Sequence, residues 1–367
     1  MANPAPLGVA VLGAARHAGS YLPVLAAQPG VRLVTICEEP EAPGWMWDAA
    51  RALADRFGLP VGDDVAGTLA RPDVDLVLVC SEPTRHARLA GRALAAGKHV
   101  LVDKPMATSL VEADRLAAAA SVASGCFTVV HRLYSPAIQR ARAAVQAGHL
   151  GLIRSVDVEW LASDGLSGTS VERPELVADP ALSGGGEMMN FLVYPIGYLR
   201  YLTGAEVVEV YAETGTFTFE PHRRFGVEDL AMLSLRLEHD IVASVTVGRV
   251  AQAPGAGSGT STLRLIGSHG HLSVDENQPE LEIWSAGEQA TRGARTIGGD
   301  AGARAVARLI EEFIHDIRSG RAPLYGAADG RATVAAIEAA YRSAATGMPV
   351  PVTPVAPVAA EHATHRA

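Results

Sequence analysis

A lysine that follows an apolar run is the first feature of this sequence that could do chemistry. The apolar residues 100–102 predict a short buried strand, and Asp103, Lys104 and Pro105 follow directly. Proline restricts the residue before it to extended geometry, so Lys104 should stand at the carboxyl end of this strand. Open α/β sheets bind ligands at that edge. Lysine can change its protonation state in a protein whereas arginine cannot, and only two of the 31 lysine and arginine residues are lysines.

The segment that begins the chain predicts the fold that positions this lysine. Residues 7–12 are an apolar run typical of a strand, and a glycine turn and a predicted helix follow. This order is the phosphate-binding fingerprint of dinucleotide-binding folds. The turn contains the candidate cofactor-binding residues Gly13, Ala15, Arg16 and His17. The match is incomplete, because Ala15 stands where the second glycine is expected and adds a methyl group where backbone and pyrophosphate approach closely.

An acid at the end of the second predicted strand indicates which dinucleotide is bound. Residues 31–37 are apolar and β-branched, and Glu38 follows them at about the spacing of the acid that binds the adenosine ribose hydroxyls. The next residues, 39–41, contain no lysine or arginine to neutralise a 2′-phosphate. The sequence therefore favours NAD as the cofactor over NADP.

Strands and helices alternate as far as residue 131. This rhythm predicts a doubly wound parallel sheet of the Rossmann type, an α/β domain over residues 1–131. The residues that follow its strands complete the candidate cofactor site: Ser81, Pro83, His86, Asp103, Lys104 and Pro105.

The second half of the chain has a different pattern. Several alternating segments without intervening helices predict an α+β domain over residues 132–350 with a large, mostly antiparallel sheet. The polar segment 162–182 is predicted to be a loop at the rim of the substrate site, and 254–260 a flexible loop. The Pro- and Ala-rich segment 351–367 predicts a disordered tail.

Composition excludes several classes of partner. The formal net charge is −9 and no basic run occurs, which argues against nucleic acid and anionic membranes. Apolar runs are too short to span a bilayer. Cys37, Cys80 and Cys126 are scattered and the N-terminus lacks a basic leader region, so we expect reduced thiols in the cytoplasm. No metal site is predicted, because His269 and His271 have no acid or cysteine near them.

With Gly13, Glu38 and Asp103-Lys104-Pro105 in this order, the chain resembles the Gfo/Idh/MocA oxidoreductases over nearly its whole length. The family usually has Glu-Lys-Pro where this chain has Asp103-Lys104-Pro105. The resemblance implies that Lys104 lies beside the nicotinamide and the reacting carbon, and that His86 is the family's histidine after the third strand. It also implies a homodimer or homotetramer formed through the C-terminal sheet.

The family's second signature is altered in this chain. Three glycines are usually followed by an aspartate and, four residues later, a histidine, whereas Gly184-Gly185-Gly186 leads here to Asn190 and Tyr194. Four residues make about one helical turn, so both side chains should face the same way. Tyrosine before proline at the second position is similar to the glucose–fructose oxidoreductase and dihydrodiol dehydrogenase branch, although that branch keeps the aspartate.

The predicted function is NAD(H)-dependent hydride transfer to or from a hydroxyl or ketone carbon of a sugar, cyclitol or glycosylated metabolite. Tyr194 is expected to carry the proton, with its pKa lowered by the Lys104 ammonium, while Asn190 positions the substrate. His131 and Arg132 are expected to border the substrate, with His131 as a second proton carrier.

Two alternatives remain open at this point. One is an NAD-dependent enzyme that cleaves a glycosidic bond through a transient oxidation. The other is a dinucleotide-binding protein without turnover, which Ala15 and Asn190 favour.

Overall fold

The structure is a computed structural model that describes residues 6–162, 173–251, 259–276, 280–285, 288–292 and 301–354. Most of the predicted loop 254–260, most of the predicted tail 351–367, and residues 163–172 of the predicted rim lie outside the described residues. None of the described helices is both long and apolar enough to cross a membrane.

Six parallel strands form the first sheet, as the alternating pattern predicted. Its elements are β1 (Leu7–Leu12), α1 (Ala18–Ala27), β2 (Val31–Cys37), α2 (Gly44–Phe57), β3 (Val61–Gly62), α3 (Val65–Ala70), β4 (Leu76–Val79), α4 (Pro83–Ala95), β5 (His99–Val102), α5 (Leu110–Val122) and β6 (Phe127–Val129). The strand order is β3-β2-β1-β4-β5-β6. The order reverses between β1 and β4, and the crevice outside their carboxyl ends is where such sheets bind ligands.

The central strands of this sheet are covered on both faces. Residues 9–12, 76–79 and 100–102 are all completely buried, which explains why they appear in the sequence as continuous apolar runs. Polar side chains therefore begin where the strands end, and this places Glu38 and Lys104 along the same edge.

A nine-stranded sheet dominates the second half. Its elements are α6 (Pro136–Gln146), β7 (Ile153–Ala162), α7 (Glu175–Ala178), α8 (Pro180–Ser183), α9 (Glu187–Phe191), α10 (Val193–Thr203), β8 (Val207–Gly215), α11 (Glu220–Phe225), β9 (Leu230–Leu237), β10 (Val242–Arg249), β11 (Gly259–Gly267), β12 (Gly270–Asp275), β13 (Glu280–Ser285), β14 (Glu288–Arg292), α12 (Ala301–Ser319), α13 (Ala327–Thr346) and β15 (Val350–Pro351). The order is β14-β13-β12-β11-β7-β10-β9-β8-β15, and among the described strands of this sheet only β7 and β10 pair in parallel. The predicted mostly antiparallel sheet is confirmed.

The two faces of this sheet differ. Along β7, Val156, Val158 and Trp160 are buried, whereas Asp157 and Glu159 are partly exposed on the opposite face. The buried face packs against α10 and α13. Trp160 thereby lies against the helix that carries Tyr194.

Helix α12 crosses back to the first sheet. Its apolar stripe, which includes Leu309, Ile310 and Phe313, is buried in the same cluster as Leu22 and Leu25 of α1. The sequence places this helix in the second domain, but its side chains complete the core of the first.

The prediction of a loop over 162–182 is wrong for its second part. Residues 175–178 and 180–183 form α7 and α8, two short helical turns. Asp179 begins α8 by accepting a hydrogen bond from the Ala181 N–H at 3.0 Å. Leu176 and Val177 are buried against Ala15 and Trp45, so this segment packs on the glycine turn of the first domain.

Candidate active site

The glycine turn follows β1 and lies against the end of β4. Gly13 has φ +73°, and a Cβ at this position would lie 2.6 Å from the Cα of Ser81. Glycine is required here both for the left-handed backbone and for this close approach. Ser81 itself is completely buried, and its hydroxyl donates to the Glu82 carbonyl.

Ala15 has a packing partner that its sequence position did not suggest. Its methyl group contacts the cluster of Leu176 and Val177 from α7. The adjacent Arg16 donates from Nη1 to the Leu176 carbonyl at 3.4 Å. Ala15, which stands where the second glycine is expected, therefore forms part of a contact between the two halves of the chain.

Glu38 is buried at the end of β2 with one carboxylate oxygen unused. Oε1 accepts from the Glu39 N–H at 3.0 Å and from Arg85 Nη1 at 2.7 Å. Among the described residues Oε2 is buried and has no hydrogen-bond partner. A buried carboxylate oxygen lacking a donor fits the ribose hydroxyl for which this position was predicted.

The absence of lysine and arginine from residues 39–41 led to the expectation that no cation lies near Glu38, and this expectation is wrong. Helix α4 brings Arg85 onto Glu38 and Arg88 onto Glu39. Arg85 also pairs through Nε and Nη2 with both carboxylate oxygens of Glu82, at 2.6 and 2.7 Å. A preference for NAD over NADP therefore depends on the charges that surround Arg85.

Asp103 ties the strand end to the glycine-turn helix. It is completely buried and accepts from His17 Nδ1 at 2.6 Å, from the Tyr21 hydroxyl at 2.9 Å and from the Lys104 N–H at 2.8 Å. Burial opposes its ionisation, but His17 and Arg16 outweigh this and hold the pKa of Asp103 well below its ordinary value. Burial lowers the pKa of His17 although Asp103 opposes that shift. Asp103 and His17 therefore fix the backbone that presents Lys104.

His86 spans the ends of two strands. Nδ1 lies 2.7 Å from the Pro105 carbonyl and Nε2 lies 2.9 Å from the Ser81 carbonyl. Burial lowers the pKa of His86, and Asp103 opposes that shift. Pro83, the first residue of α4, is buried beside it. The imidazole therefore connects the loop after β4 to the Lys104-Pro105 peptide.

Lys104 projects from the end of β5 into the interface with the second domain. It is 2% exposed, and Nζ donates to the backbone carbonyl of Asn190 at 2.8 Å and to Asn190 Oδ1 at 2.5 Å. Nζ also lies 5.2 Å from the ring centre of Phe191 and 5.5 Å from that of Tyr194. Burial and the nearby Arg16 hold the pKa of Lys104 well below its ordinary value. The structure thus brings together Lys104, Asn190 and Tyr194, as predicted.

Glu187 and Arg249 are site residues that the sequence analysis missed. Asn190 accepts through Oδ1 from Lys104 and, at 3.1 Å, from Arg16 Nη2, and it donates through Nδ2 to Glu187 Oε2 at 2.8 Å. Glu187 Oε1 accepts from Arg249 Nε at 2.7 Å. Burial opposes ionisation of Glu187, but Arg249, His222 and Asn190 outweigh it and lower its pKa to about 2. A buried carboxylate thus lies three residues before Asn190, the position where the resemblance implies an aspartate.

A sequence signal for both residues exists. Glu187 is an acid inside an otherwise apolar segment after the glycines, and Arg249 ends a strand whose alternation predicts an inward side chain there. A buried charge in such a context needs a partner, and each is the partner of the other.

The predicted lowering of the Tyr194 pKa is wrong in direction. Tyr194 is 5% exposed and stacks on Trp160 with ring centres 4.3 Å apart. Burial raises its pKa, and the nearby Arg132 only partly opposes the shift. Lys104 Nζ and the Arg132 guanidinium both lie over the tyrosine ring. Arg132 thus borders the site through the rings of Tyr194 and Trp160.

His131 does not fit the expected role of second proton carrier. Its Nε2 donates to the Val193 carbonyl at 2.9 Å, and its Nδ1 accepts from the Arg132 N–H at 2.9 Å. Burial lowers its pKa to about 3. A Cβ on Gly197 would lie 2.1 Å from Nε2, so α10 packs tightly on this ring. His131 joins the last strand of the first domain to α10.

Comparison with known proteins identifies the class. Residues 7–131 match the model of an oxidoreductase family with an NAD-binding Rossmann fold, and residues 138–273 match the GFO/IDH/MocA C-terminal domain. The chain is therefore an oxidoreductase that uses a nicotinamide cofactor. It belongs to the GFO/IDH/MocA family, which confirms the resemblance seen in its motifs.

Similar proteins act on sugars and cyclitols. A dTDP-3,4-didehydro-2,6-dideoxy-α-D-glucose 3-reductase from Actinomadura kijaniata is 30% identical over 68% of this chain and 71% of its own. A myo-inositol 2-dehydrogenase from Thermotoga maritima is 25% identical over 77% of this chain and 82% of its own. The solved structure of GenD2 from gentamicin A biosynthesis, in complex with NAD, is 25% identical with a TM-score of 0.79, and the match covers 96% of this chain and 98% of that one.

Proposed function

We propose that this protein is an NAD-dependent dehydrogenase or reductase that interconverts a CH–OH group and a ketone on a sugar, cyclitol or glycosylated metabolite. The observation that carries the proposal is the position of Lys104. It stands at the ligand-binding edge of the first sheet, is buried between the two domains, and is held by Asn190.

The residues present fit a nicotinamide dinucleotide. Gly13 provides the close turn, and Glu38 Oε2 is a buried acceptor that lacks a donor among the described residues. The nicotinamide supplies the hydride chemistry. What the chain must supply is orientation of the substrate carbon and transfer of one proton.

Lys104 is the group best suited to take that proton. Oxidation of an alcohol moves the C–H hydrogen away with its electron pair, and the hydroxyl proton must leave to a base as the C=O bond forms. Burial and Arg16 lower the pKa of the Lys104 amine, which favours the neutral form that can accept this proton. Tyr194, whose pKa is raised, keeps its proton and donates a hydrogen bond to the substrate oxygen. This reverses the roles that the sequence suggested for the two residues.

Asn190 fixes the direction of the lysine. Its carbonyl oxygen accepts from Lys104 and Arg16 and its amide nitrogen donates to Glu187, so only one orientation of the side chain satisfies all three contacts. Ala15 and Asn190 favoured the alternative without turnover, but Ala15 packs against α7 and Asn190 holds Lys104. No contact among the described residues favours glycosidic cleavage over net oxidation.

The charges around Glu38 support NAD over NADP. Arg85 makes contacts of 2.6–3.1 Å with the carboxylates of Glu38, Glu39 and Glu82. A 2′-phosphate would have to displace one of these carboxylates and lie close to the others, where like charges repel. A ribose hydroxyl needs only the unused oxygen of Glu38.

We also propose that the outer face of the nine-stranded sheet mediates homo-oligomerisation. Met232 on β9, Val242 on β10 and Ile266 on β11 project from that face and are 60, 54 and 41% exposed. Light scattering after size-exclusion chromatography should give more than one chain per particle, and Met232→Asp should reduce that number. A monomeric wild-type protein would refute this proposal.

The test of the enzymatic proposal is turnover with NAD and a panel of polyols and sugars, followed through NADH absorbance. We expect net NADH from at least one of them, and none from Lys104→Met. Release of an aglycone without NADH would show the glycosidic alternative. Tight NAD binding with neither product across the panel would favour the protein without turnover.

A further inference from the structure

Buried nitrogen atoms that lack an acceptor gather around the Glu187–Asn190 pair. Among the described residues, Arg249 Nη1 and Arg16 Nε are buried donors without an acceptor, and His222 Nδ1 is buried without a hydrogen-bond partner. Arg249 and Arg16 bind Glu187 and Asn190 through their other nitrogens, and His222 Nε2 lies 3.2 Å from Glu187 Oε1. A buried donor left without an acceptor costs free energy, and more when it is charged. A ligand that brings acceptors to this place would remove that cost.

Two arginines approach the same place. Arg16 and Arg249 contact the pair as cations, Lys104 is a third in its protonated form, and Glu187 is the carboxylate that Arg249 contacts. Asp103 and Glu228 are already held by other groups: Asp103 by His17 and Tyr21, and Glu228 by the Met188 N–H and the Tyr341 hydroxyl. Because both arginines keep an N–H that no acceptor among the described residues uses, the place favours an anion with oxygen acceptors.

Arg249 is 1% exposed and lies on the same side of the second sheet as the predicted site residues. It is the last residue of β10 and pairs in register with Ala162, while Val247 pairs with Trp160. Alternation along the strand puts Arg249 on the same face as Trp160, the face that contacts Tyr194. Its guanidinium carbon lies 5.4 Å from the centre of the Phe191 ring, and Lys104 Nζ lies 5.2 Å from the same centre. Lys104 and Arg249 therefore lie beside the same aromatic ring.

We propose that the substrate is a polyhydroxy carboxylic acid, such as an aldonic, uronic or cyclitol carboxylic acid. Its carboxylate accepts a charge-assisted hydrogen bond from Arg249 Nη1 while its reacting hydroxyl lies at Lys104. Arg16 Nε is a further donor within the same group of side chains. This inference rests on the proposed function and narrows its substrate class.

The test uses matched pairs of substrates that differ in charge. Glucose is compared with gluconate and glucuronate, and glucose 6-phosphate is included as an anion of another class. Binding of each to the enzyme–NADH complex is measured by calorimetry, and kcat/KM by NADH formation with NAD. We expect the carboxylates to exceed glucose by at least 10-fold in kcat/KM, with a preference that falls as salt is raised.

A variant of the arginine makes the test specific. Arg249→Gln should reduce the acid-to-neutral ratio of kcat/KM by about 10- to 100-fold, the worth of a charged hydrogen bond. The ratio isolates anion binding, because loss of the Glu187 contact would slow both substrates alike. Arg236→Gln, on the outer face of the sheet and 59% exposed, is the matched control and should leave the ratio unchanged.

Three results would overturn the inference. They are equal use of acids and their neutral partners by the wild-type protein, an Arg249→Gln effect that is the same on both, and a preference for the phosphate over the carboxylates. Each of these still includes turnover with NAD and so leaves the proposed function in place. Absence of NADH from every member of the panel, with no binding to the enzyme–NADH complex, would refute the proposed function as well.

Discussion

The buried carboxylate of Glu187 leads to a prediction about placing a second one at position 190. In Asn190→Asp, the Nδ2 donor that lies 2.8 Å from Glu187 Oε2 becomes a carboxylate oxygen. Two carboxylates at about 3 Å repel by about 5 kcal/mol at an effective dielectric constant near 20. Lys104 and Arg16 offset part of this repulsion, and proton uptake limits the rest. We therefore expect the variant to bind one shared proton near neutral pH and to lose about 3 kcal/mol of unfolding free energy at pH 7.

The pH dependence of that loss follows from the sign of the shift. The added acid has a folded pKa above its unfolded value, so it destabilises the fold only where the unfolded chain is ionised. The loss of unfolding free energy should be absent below about pH 4, grow as the pH rises towards the pKa of the added acid in the folded protein, and stay constant above that pKa. Urea unfolding of both proteins between pH 4 and pH 8 measures this profile, and kcat/KM should fall over the same range.

The double variant Glu187→Gln/Asn190→Asp is the decisive control. It keeps one carboxylate and puts it in direct contact with Lys104, at the position the family usually uses. We expect it to recover at least half of the lost unfolding free energy and of the lost rate, a coupling of about 2 kcal/mol between the two sites. Strictly additive effects, or an Asn190→Asp variant as stable as wild type at pH 8, would refute the reasoning that the two side chains share one charge.

Three further substitutions test the remaining roles. Lys104→Arg keeps the charge but cannot titrate, so it should be as inactive in alcohol oxidation as Lys104→Met, about 10²–10⁴ below wild type; if it keeps most of kcat, the lysine is only an electrostatic anchor. In the wild type, the low pKa of Lys104 means that kcat/KM for oxidation should fall as the pH drops through that pKa, and a flat profile would remove Lys104 as the base. Tyr194→Phe removes a hydrogen bond but not the base, so its loss in kcat should be about 10-fold, and a loss as large as that of Lys104→Met would restore the tyrosine as proton carrier. Glu38→Ala should weaken NADH binding by about 10-fold or more while NADPH binding is unchanged or stronger, because one carboxylate that repels the 2′-phosphate is gone; cofactor fluorescence measures both, and tighter NADPH than NADH binding to wild type would refute the role given to Glu38.

The parts of the fold that follow from local pattern could be predicted. Continuous apolar runs and their spacing determine the parallel sheet, because strands buried on both faces tolerate few polar side chains. The carboxyl ends of these parallel strands then place Glu38 and Lys104 on one edge of the sheet. Helix α12 shows the limit of such reasoning. Its apolar stripe is readable, but nothing in the stripe specifies whether it packs on the second domain or, as it does, on α1.

The contacts that define the site could not be predicted, because they join residues distant in sequence. Arg85 lies in α4, which follows β4, yet it pairs with Glu38 at the end of β2. Residues 39–41 therefore give no sign of it. The predicted direction of the Tyr194 pKa shift was wrong for a related reason. A lysine one contact away lowers a tyrosine pKa only if it faces the hydroxyl, and Lys104 instead lies over the ring while burial acts on the oxygen. The sequence shows which groups are present at the site, whereas their protonation depends on which atom of one faces which atom of the other.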